Sequence, residues 1–200
     1  MKIFSLLAGE NCSALFLPTD SIHERCLSAA SSDPGYVRAA LLREPNLRLT
    51  FSLIEPDQIS LSTGFHRTTD CLLYSWLKIF SKRAADRIVA LGSDPSDFIS
   101  CDIDCNVGET YFLFMPRRLW DVVDIARSKF SLWLPGPPPI PLMPKKLAFN
   151  ERALDNVPPC FYAENTIVHK PFTELLVTEE FVKEWNDHGF TGALFTEQGK

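Results

Sequence analysis

The sequence has 200 residues, of which 46% are hydrophobic and 22% charged, and its net charge is −5 at neutral pH. This composition is that of an ordinary globular protein with room for one substantial core or two small ones, which excludes a disordered chain. The negative balance argues against a nucleic-acid-binding protein, because affinity for phosphates needs clustered Lys and Arg. Residues 1–149 carry 16 basic and 16 acidic side chains, whereas residues 150–200 carry 4 and 9. An acidic C-terminal region suits a basic protein partner such as a nuclease, although a solvated acidic face gives the same pattern.

The start of the chain and its cysteines bear on the compartment. Met1–Gly9 resembles a signal peptide, but its apolar stretch is only about seven residues long and is broken by Glu10 and Asn11, so we predict a first strand instead. No apolar run approaches the ~20 residues of a membrane-spanning helix. Six cysteines are spread without the spacing of a small disulfide scaffold (Cys12, Cys26, Cys71, Cys101, Cys105 and Cys160). We therefore expect a reduced, cytoplasmic protein without a membrane partner.

The first third of the chain, residues 1–69, predicts an irregular part of the domain with short helices and strands. Segments 26–30 and 36–43 have a helix-forming composition. Alternating apolar and polar residues at 47–53 predict a half-buried strand, and 57–63 predicts a shorter one.

Stronger signals begin at Asp70, which is predicted to cap a short helix that continues through Trp76 and Leu77. Ser81 is a natural N-cap, since its hydroxyl can accept from the amides of the next turn, and apolar residues follow at helical spacing until Gly92. Strands are then predicted at 97–105, at 111–115 (buried on both faces) and from Ser128 to Leu134.

A proline-rich segment follows at 134–144, where six of eleven residues are proline. Proline excludes a helix and removes hydrogen-bond donors from a central strand, so a stiff connecting loop is predicted. A polyproline ligand for an aromatic groove is the alternative. Short strands are predicted at 146–149 and 161–162.

The C-terminal part repeats the arrangement around Ser81 at an offset of 97 residues. The repeat aligns Ser81 with Thr178 and Gly92 with Gly189, and the apolar positions of the two helices also coincide, with Ala84, Ala85 and Ile88 matching Phe181, Val182 and Trp185. A last strand is predicted at 193–195. Two such units predict a single α+β domain, in which two similar capped helix–strand units pack on a mixed or antiparallel sheet.

Two cysteines and two aspartates lie close together in the segment from Cys101 to Cys105, which suggests a metal site. In a strand, however, the thiols and the carboxylates would point to opposite faces, and a second ligand pair is missing from the sequence, so we expect no metal. The sequence contains no HExxH, GxSxG, P-loop or GxGxxG motif. We therefore expect no catalytic residues and no cofactor. A thiol-dependent hydrolase that uses Cys101 or Cys105 with His169 is the enzymatic alternative.

Four carboxylates of the second helix form the candidate binding surface. Glu180, Glu184 and Asp187 fall at i, i+4 and i+7, on one stripe opposite Phe181 and Trp185. Glu179 joins them in the first turn, where the helix dipole favours acidic residues in any case.

Three segments together resemble a family of bacterial immunity proteins, immunity protein eleven, formerly a domain of unknown function. They are Lys78–Asp86 with Gly92, Tyr111–Pro116, and Asp121–Asp124 with Ser128. The closing unit, Val177–Phe181 with Gly189, Gly192 and Phe195, also resembles this family, although Thr178 stands where Ser is usual. The Tyr111–Pro116 segment departs as well, since it has Met115-Pro116 where Asn is usual. The resemblance covers about residues 70–196, so residues 70–200 are interpreted as the immunity-like region.

The resemblance implies a cytoplasmic protein that binds a cognate toxin, a secreted effector of a type VI or contact-dependent system, and blocks its active or assembly surface. It brings no catalytic residues. Glu179, Glu180, Glu184 and Asp187 are then the predicted toxin-binding residues. An adaptor that uses the proline-rich segment is a second alternative, and a homodimer is a further option for assembly.

Overall fold

The structure is a computed structural model, and it describes residues 1–9, 15–16, 49–53, 69–74, 77–104 and 110–199. The helices predicted at 26–30 and 36–43 and the strand predicted at 57–63 lie outside these residues. The α-helices are α1 (Lys82–Ala90) and α2 (Glu179–Asp187). The strands, in chain order, are β1 (Ile3–Ala8), β2 (Leu15–Phe16), β3 (Leu49–Leu53), β4 (Cys71–Tyr74), β5 (Leu77–Ser81), β6 (Phe98–Asp104), β7 (Tyr111–Phe114), β8 (Lys129–Leu134), β9 (Ile140–Lys146), β10 (Cys160–Asn165), β11 (Lys170–Thr178) and β12 (Ala193–Gln198).

The predicted α+β class is confirmed. One sheet has four antiparallel strands in the order β10-β11-β1-β12. A second sheet has the order β2-β3-β6-β7-β5-β4, and its single parallel pair joins β3 to β6. Strands β8 and β9 form a separate two-stranded ribbon. Two 3₁₀ turns, Pro95–Asp97 and Glu151–Asn156, connect these parts.

The two sheets contain the same four-strand arrangement. In each, the strand before the helix and the strand after it lie on either side of a central strand, giving β4-β5-β7-β6 and β10-β11-β1-β12. The backbone hydrogen bonds repeat as well: Lys82 N donates to Thr110 O at one central strand, and Glu179 N donates to Lys2 O at the other. Strand β7 follows its unit along the chain, whereas the N-terminal strand β1 completes the C-terminal unit.

Both helices begin and end at the predicted residues. The Ser81 hydroxyl accepts from Ala84 N, and the Thr178 hydroxyl accepts from Phe181 N, each at 3.3 Å. Gly92 and Gly189 follow the helices with φ angles of 113° and 61°, in the region where a Cβ is unfavourable.

Strands β10, β11 and β1 of the four-stranded sheet contribute buried residues to two cores, one on each face of the sheet, because successive residues of a strand point to opposite faces. One face contacts the two helices in a core that includes Leu6, Phe80, Ala84, Phe114, Tyr162, Leu175, Phe181 and Trp185. The other face is covered by the segment between β7 and β10, in a core that includes Ile3, Val122, Val123, Leu147, Phe149, Phe161, Phe172 and Leu176.

The helix predicted after Asp70 is wrong. This segment forms the hairpin of β4 and β5, in which Cys71 pairs with Phe80 and Leu72 with Ile79. These apolar residues are buried in the sheet, and this tertiary contact overrides the local helical pattern. The Asp70 carboxylate instead accepts from Ser81 Oγ at 2.7 Å and from the Arg83 guanidinium through two bonds of 2.6 Å.

The proline-rich segment is only partly the predicted loop. Residues 135–139 connect two strands, but β9 contains Pro141 and Pro144. Each strand of the two-stranded ribbon is an edge strand, and an edge strand can carry proline where the missing donor faces away from the ladder. The strand predicted at 146–149 lies earlier in the chain, since β9 spans Ile140–Lys146. Phe149 makes an isolated bridge to Val123.

Candidate functional site

Three of the four predicted binding carboxylates on α2 have cationic neighbours within the protein. Glu179 lies 3.7 Å from Lys2, Glu184 lies 2.7 Å from Arg87, and Asp187 lies 2.5 Å from Lys183. The Lys183 hydrogen bond lowers the pKa of Asp187. Glu180 is exposed and has no ion pair within the part of the chain that the structure describes. The acidic stripe is therefore largely compensated in charge before any partner binds.

Glu184 serves chiefly to join the two helices. Its carboxylate accepts from Arg87 Nε at 2.7 Å, and these two residues occupy the same position in α1 and α2. The Glu184 side chain is only 20% exposed. Of the four predicted residues, Glu184 is therefore the least available to an external partner.

The residues of the hydrolase alternative lie in different environments. Cys101 is buried in β6 of the six-stranded sheet, whereas His169 lies in the turn before β11 of the other sheet. The His169 side chain is 80% exposed, and its Nδ1 lies 2.8 Å from the Glu164 carboxylate. A nucleophile and its base need to be within hydrogen-bond reach, and this arrangement does not provide it. Cys105 lies outside the described residues.

No group of three His, Cys, Asp or Glu side chains converges as a metal site within the described ranges. Two open clefts contain charged residues without such a grouping. The larger, of about 680 Å³, includes the Asp121–Asp124 segment, where Asp124 is paired with Arg127 at 2.6 Å. This hydrogen bond lowers the pKa of Asp124. The smaller cleft, of about 380 Å³, contains Trp120 with the Arg118 guanidinium 4.1 Å from its ring centre.

Cys160 occupies the position in β10 that Cys71 occupies in β4, and its thiol is fully enclosed by the core. Burial raises the pKa of Cys160 to about 12 against a usual value of 9.0, although the Ser93 hydroxyl, 3.6 Å from the sulfur, partly opposes this shift. Burial also raises the pKa of Tyr162, beside it. A thiol of this kind stays protonated and is a packing group rather than a nucleophile.

This raised pKa predicts a pH dependence of stability. The unfolded chain loses the Cys160 proton near pH 9 while the folded chain retains it, so the stability contributed by the neutral thiol falls as pH rises from 9 towards 12. We expect about 2 kcal/mol of the free energy of unfolding to be lost between pH 8 and pH 10.5 in the wild type relative to Cys160→Ala. Urea titrations of both proteins across this range measure the difference. Parallel pH profiles for the two proteins would contradict it.

Three consecutive exposed apolar residues lie at the end of the β8–β9 ribbon. Leu132, Trp133 and Leu134 are 45%, 44% and 43% exposed. Successive side chains of a strand point to opposite faces, so both faces of the ribbon end are open to solvent. We call Leu132–Ile140 the ribbon tip. Clustered exposed apolar side chains of this size are characteristic of binding surfaces.

The base of the ribbon is fixed to the body of the protein. The Phe130 ring stacks on Phe172 of β11 with ring centres 5.9 Å apart, and it also contacts Trp133 at 5.2 Å. The Asn165 side chain donates to Pro141 O at 2.8 Å. These contacts hold the tip in a defined position relative to the four-stranded sheet.

Composition is the sequence signal for this surface. Residues 132–144 include no charged side chain, and Trp133 precedes four prolines at 135 and 137–139, a residue type that is mostly exposed in folded proteins. The burial of the individual positions, however, depends on how β8 and β9 pair, which the periodicity did not reveal.

No family model matches this chain, and no curated protein matches it. In the described part of the chain, none of the helices is both long enough and apolar enough to span a membrane.

Proposed function

We propose that this chain is an immunity protein, which binds a cognate bacterial toxin in the cytoplasm and blocks the toxin's active or assembly surface. The toxin is a secreted effector of the type VI or contact-dependent kind. Residues 70–196 resemble an immunity-protein family, and a surface on the folded chain has the binding role.

The observation that supports this proposal most strongly is the exposure of Leu132, Trp133 and Leu134 on a ribbon anchored to the body. Aromatic and aliphatic side chains at the centre of an interface supply most of its binding free energy. A surface that is ordered before binding loses less conformational entropy when the complex forms. Both features suit a protein that must sequester its partner tightly.

The acidic face of α2 is a secondary surface in this proposal. Glu179 and Glu180 are exposed at the start of the helix, and they remain candidates for contact with a basic toxin. Because Glu184 and Asp187 are engaged by Arg87 and Lys183, we assign the main contact to the ribbon tip.

Co-expression with the product of the neighbouring gene tests the proposal. We expect that product to arrest growth and the wild-type chain to restore it, because the tip occupies a surface that the toxin needs. The double variant Leu132→Ala/Trp133→Ala should bind the purified toxin at least about 30-fold more weakly, since a hot-spot truncation costs about 2 kcal/mol or more.

Leu194→Ala is the matched control, because Leu194 is 50% exposed, similar to Leu132 and Trp133, but lies on β12 outside the ribbon. It should retain full rescue. A neighbouring product without toxicity, or a wild-type chain that neither binds nor rescues, would overturn the immunity function. Equal rescue by the double variant would show that the ribbon tip is not part of the interface.

A further inference from the structure

The charge around the ribbon differs from that of the rest of the chain. Residues 125–150 contain four basic side chains and no acidic one, although the chain as a whole has a net charge of −5. Arg127 is paired with Asp124, but Lys129, Lys145 and Lys146 are exposed and have no ion pair within the described residues. The base of the ribbon is therefore a local positive surface.

Two of these lysines repel each other within the ribbon. Lys129 of β8 lies directly opposite Lys146 of β9 in the ribbon register. Like charges at facing positions of an antiparallel pair destabilise it. Carboxylates supplied by a partner would offset this repulsion, so the lysine pair would be more stable in the complex than in the free protein.

The tip above the lysines has the properties of a group that enters a cleft. It is exposed on both faces, so a flat partner surface could cover only half of its apolar area. Pro135, Pro137, Pro138 and Pro139 carry no amide hydrogen, so enclosure of the tip leaves few backbone donors unsatisfied. Proline also restricts the unbound chain, which reduces the entropy lost on binding.

We propose that the ribbon tip enters an apolar cleft of the toxin whose rim carries Asp and Glu side chains, and that Lys129, Lys145 and Lys146 pair with this acidic rim. This inference rests on the proposed function, since it names the chemistry of the toxin surface that the chain recognises. It places the electrostatic contact on the basic ribbon instead of on the acidic helix.

Charge reversal tests the inference with the purified product of the neighbouring gene as the probe. The triple variant Lys129→Glu/Lys145→Glu/Lys146→Glu should associate at least about 10-fold more slowly than the wild type at low salt, because steering by complementary charge is lost. The difference should shrink as salt screens the charges. Replacement of the same three lysines by Arg keeps the charge and should leave the association rate within about 3-fold of the wild type.

A second triple variant separates local charge from net charge. Lys82, Arg117 and Arg118 are exposed, lie outside the ribbon and pair with none of the α2 carboxylates, so Glu at these positions changes the net charge equally. We expect this variant to associate at nearly the wild-type rate. Unchanged association of the ribbon variant, or equal slowing of both triple variants, would overturn the inference while leaving the proposed function intact if the wild type still blocks the toxin.

A lipid surface is the competing partner for a basic ribbon with an apolar tip. Co-sedimentation of the wild type with vesicles of phosphatidylcholine and phosphatidylglycerol distinguishes the two, because vesicles offer anionic charge without a protein cleft. We expect the protein to remain in the supernatant. Vesicle binding that the ribbon reversal abolishes, together with unchanged toxin binding, would assign the ribbon to a membrane and overturn the inference.

Discussion

Replacement of Trp185 by Ala should destabilise the protein by about 4 kcal/mol, because removal of a buried aromatic side chain loses its burial and leaves a cavity. Trp185 is only 3% exposed and lies in the core between the two units. Its ring centre lies 6.1 Å from that of Phe80, 5.7 Å from Phe181 and 5.1 Å from Phe190. A truncation here therefore removes contacts that α2 makes with both units. Urea unfolding followed by far-ultraviolet circular dichroism measures the change independently of tryptophan fluorescence.

Trp133→Ala is the control of matched chemistry. Its side chain is 44% exposed, so we expect its loss to lower the free energy of unfolding by less than about 1 kcal/mol. Under our proposal this substitution weakens toxin binding, whereas Trp185→Ala acts through stability. Similar losses of stability for the two variants would contradict the assignment of one tryptophan to the core and the other to a binding surface.

Gly192→Ala should be about as damaging, at roughly 4 kcal/mol, because strain and steric conflict act together. Gly192 has a φ angle of 89°, and a Cβ there would lie 2.3 Å from Cys71 O and 2.8 Å from Thr69 Cβ. The backbone cannot move aside freely, since Cys71 N donates to Thr191 O and Gly9 N donates to Gly192 O. The Thr191 amide also donates to Asp70 at 3.0 Å. The same urea titration measures the loss.

Gly189→Ala provides the matched glycine control. Gly189 has a φ angle of 61°, but no heavy atom lies within 4 Å of the position that a Cβ would occupy. Its substitution should therefore cost only the left-handed conformation, about 1 kcal/mol. Equal costs at the two positions would show that close packing against β4 is not what requires glycine at 192.

Local features of the sequence predict the two helices, whose first and last turns are marked by specific residue types. Ser81 with Gly92 and Thr178 with Gly189 mark both helices, because caps and left-handed glycines act within one turn of the chain. The hairpin after Asp70 has a local pattern that predicts a helix. Its stability depends on pairing with β7, a partner more than thirty residues away along the chain, and local patterns do not contain that information.

The acidic stripe on α2 was identified from helical spacing, yet its charges are largely compensated by Lys2, Arg87 and Lys183. The Arg87–Glu184 pair joins residues 97 positions apart, so only the packing of the two helices brings them together. The sequence does not predict the exposed ribbon tip. Its prolines indicate a loop, whereas the exposure of Leu132–Leu134 follows from the way β8 and β9 extend from the sheet.

The most direct test of toxin neutralisation is a titration of the purified toxin, the product of the neighbouring gene, with the wild-type chain while the toxin's own activity is measured. We predict that activity falls linearly and stops at a fixed molar ratio, as expected of tight occlusion by a preformed surface. The Leu132→Ala/Trp133→Ala variant should require a large excess to reach the same inhibition. Full toxin activity in the presence of excess wild-type protein would contradict the account.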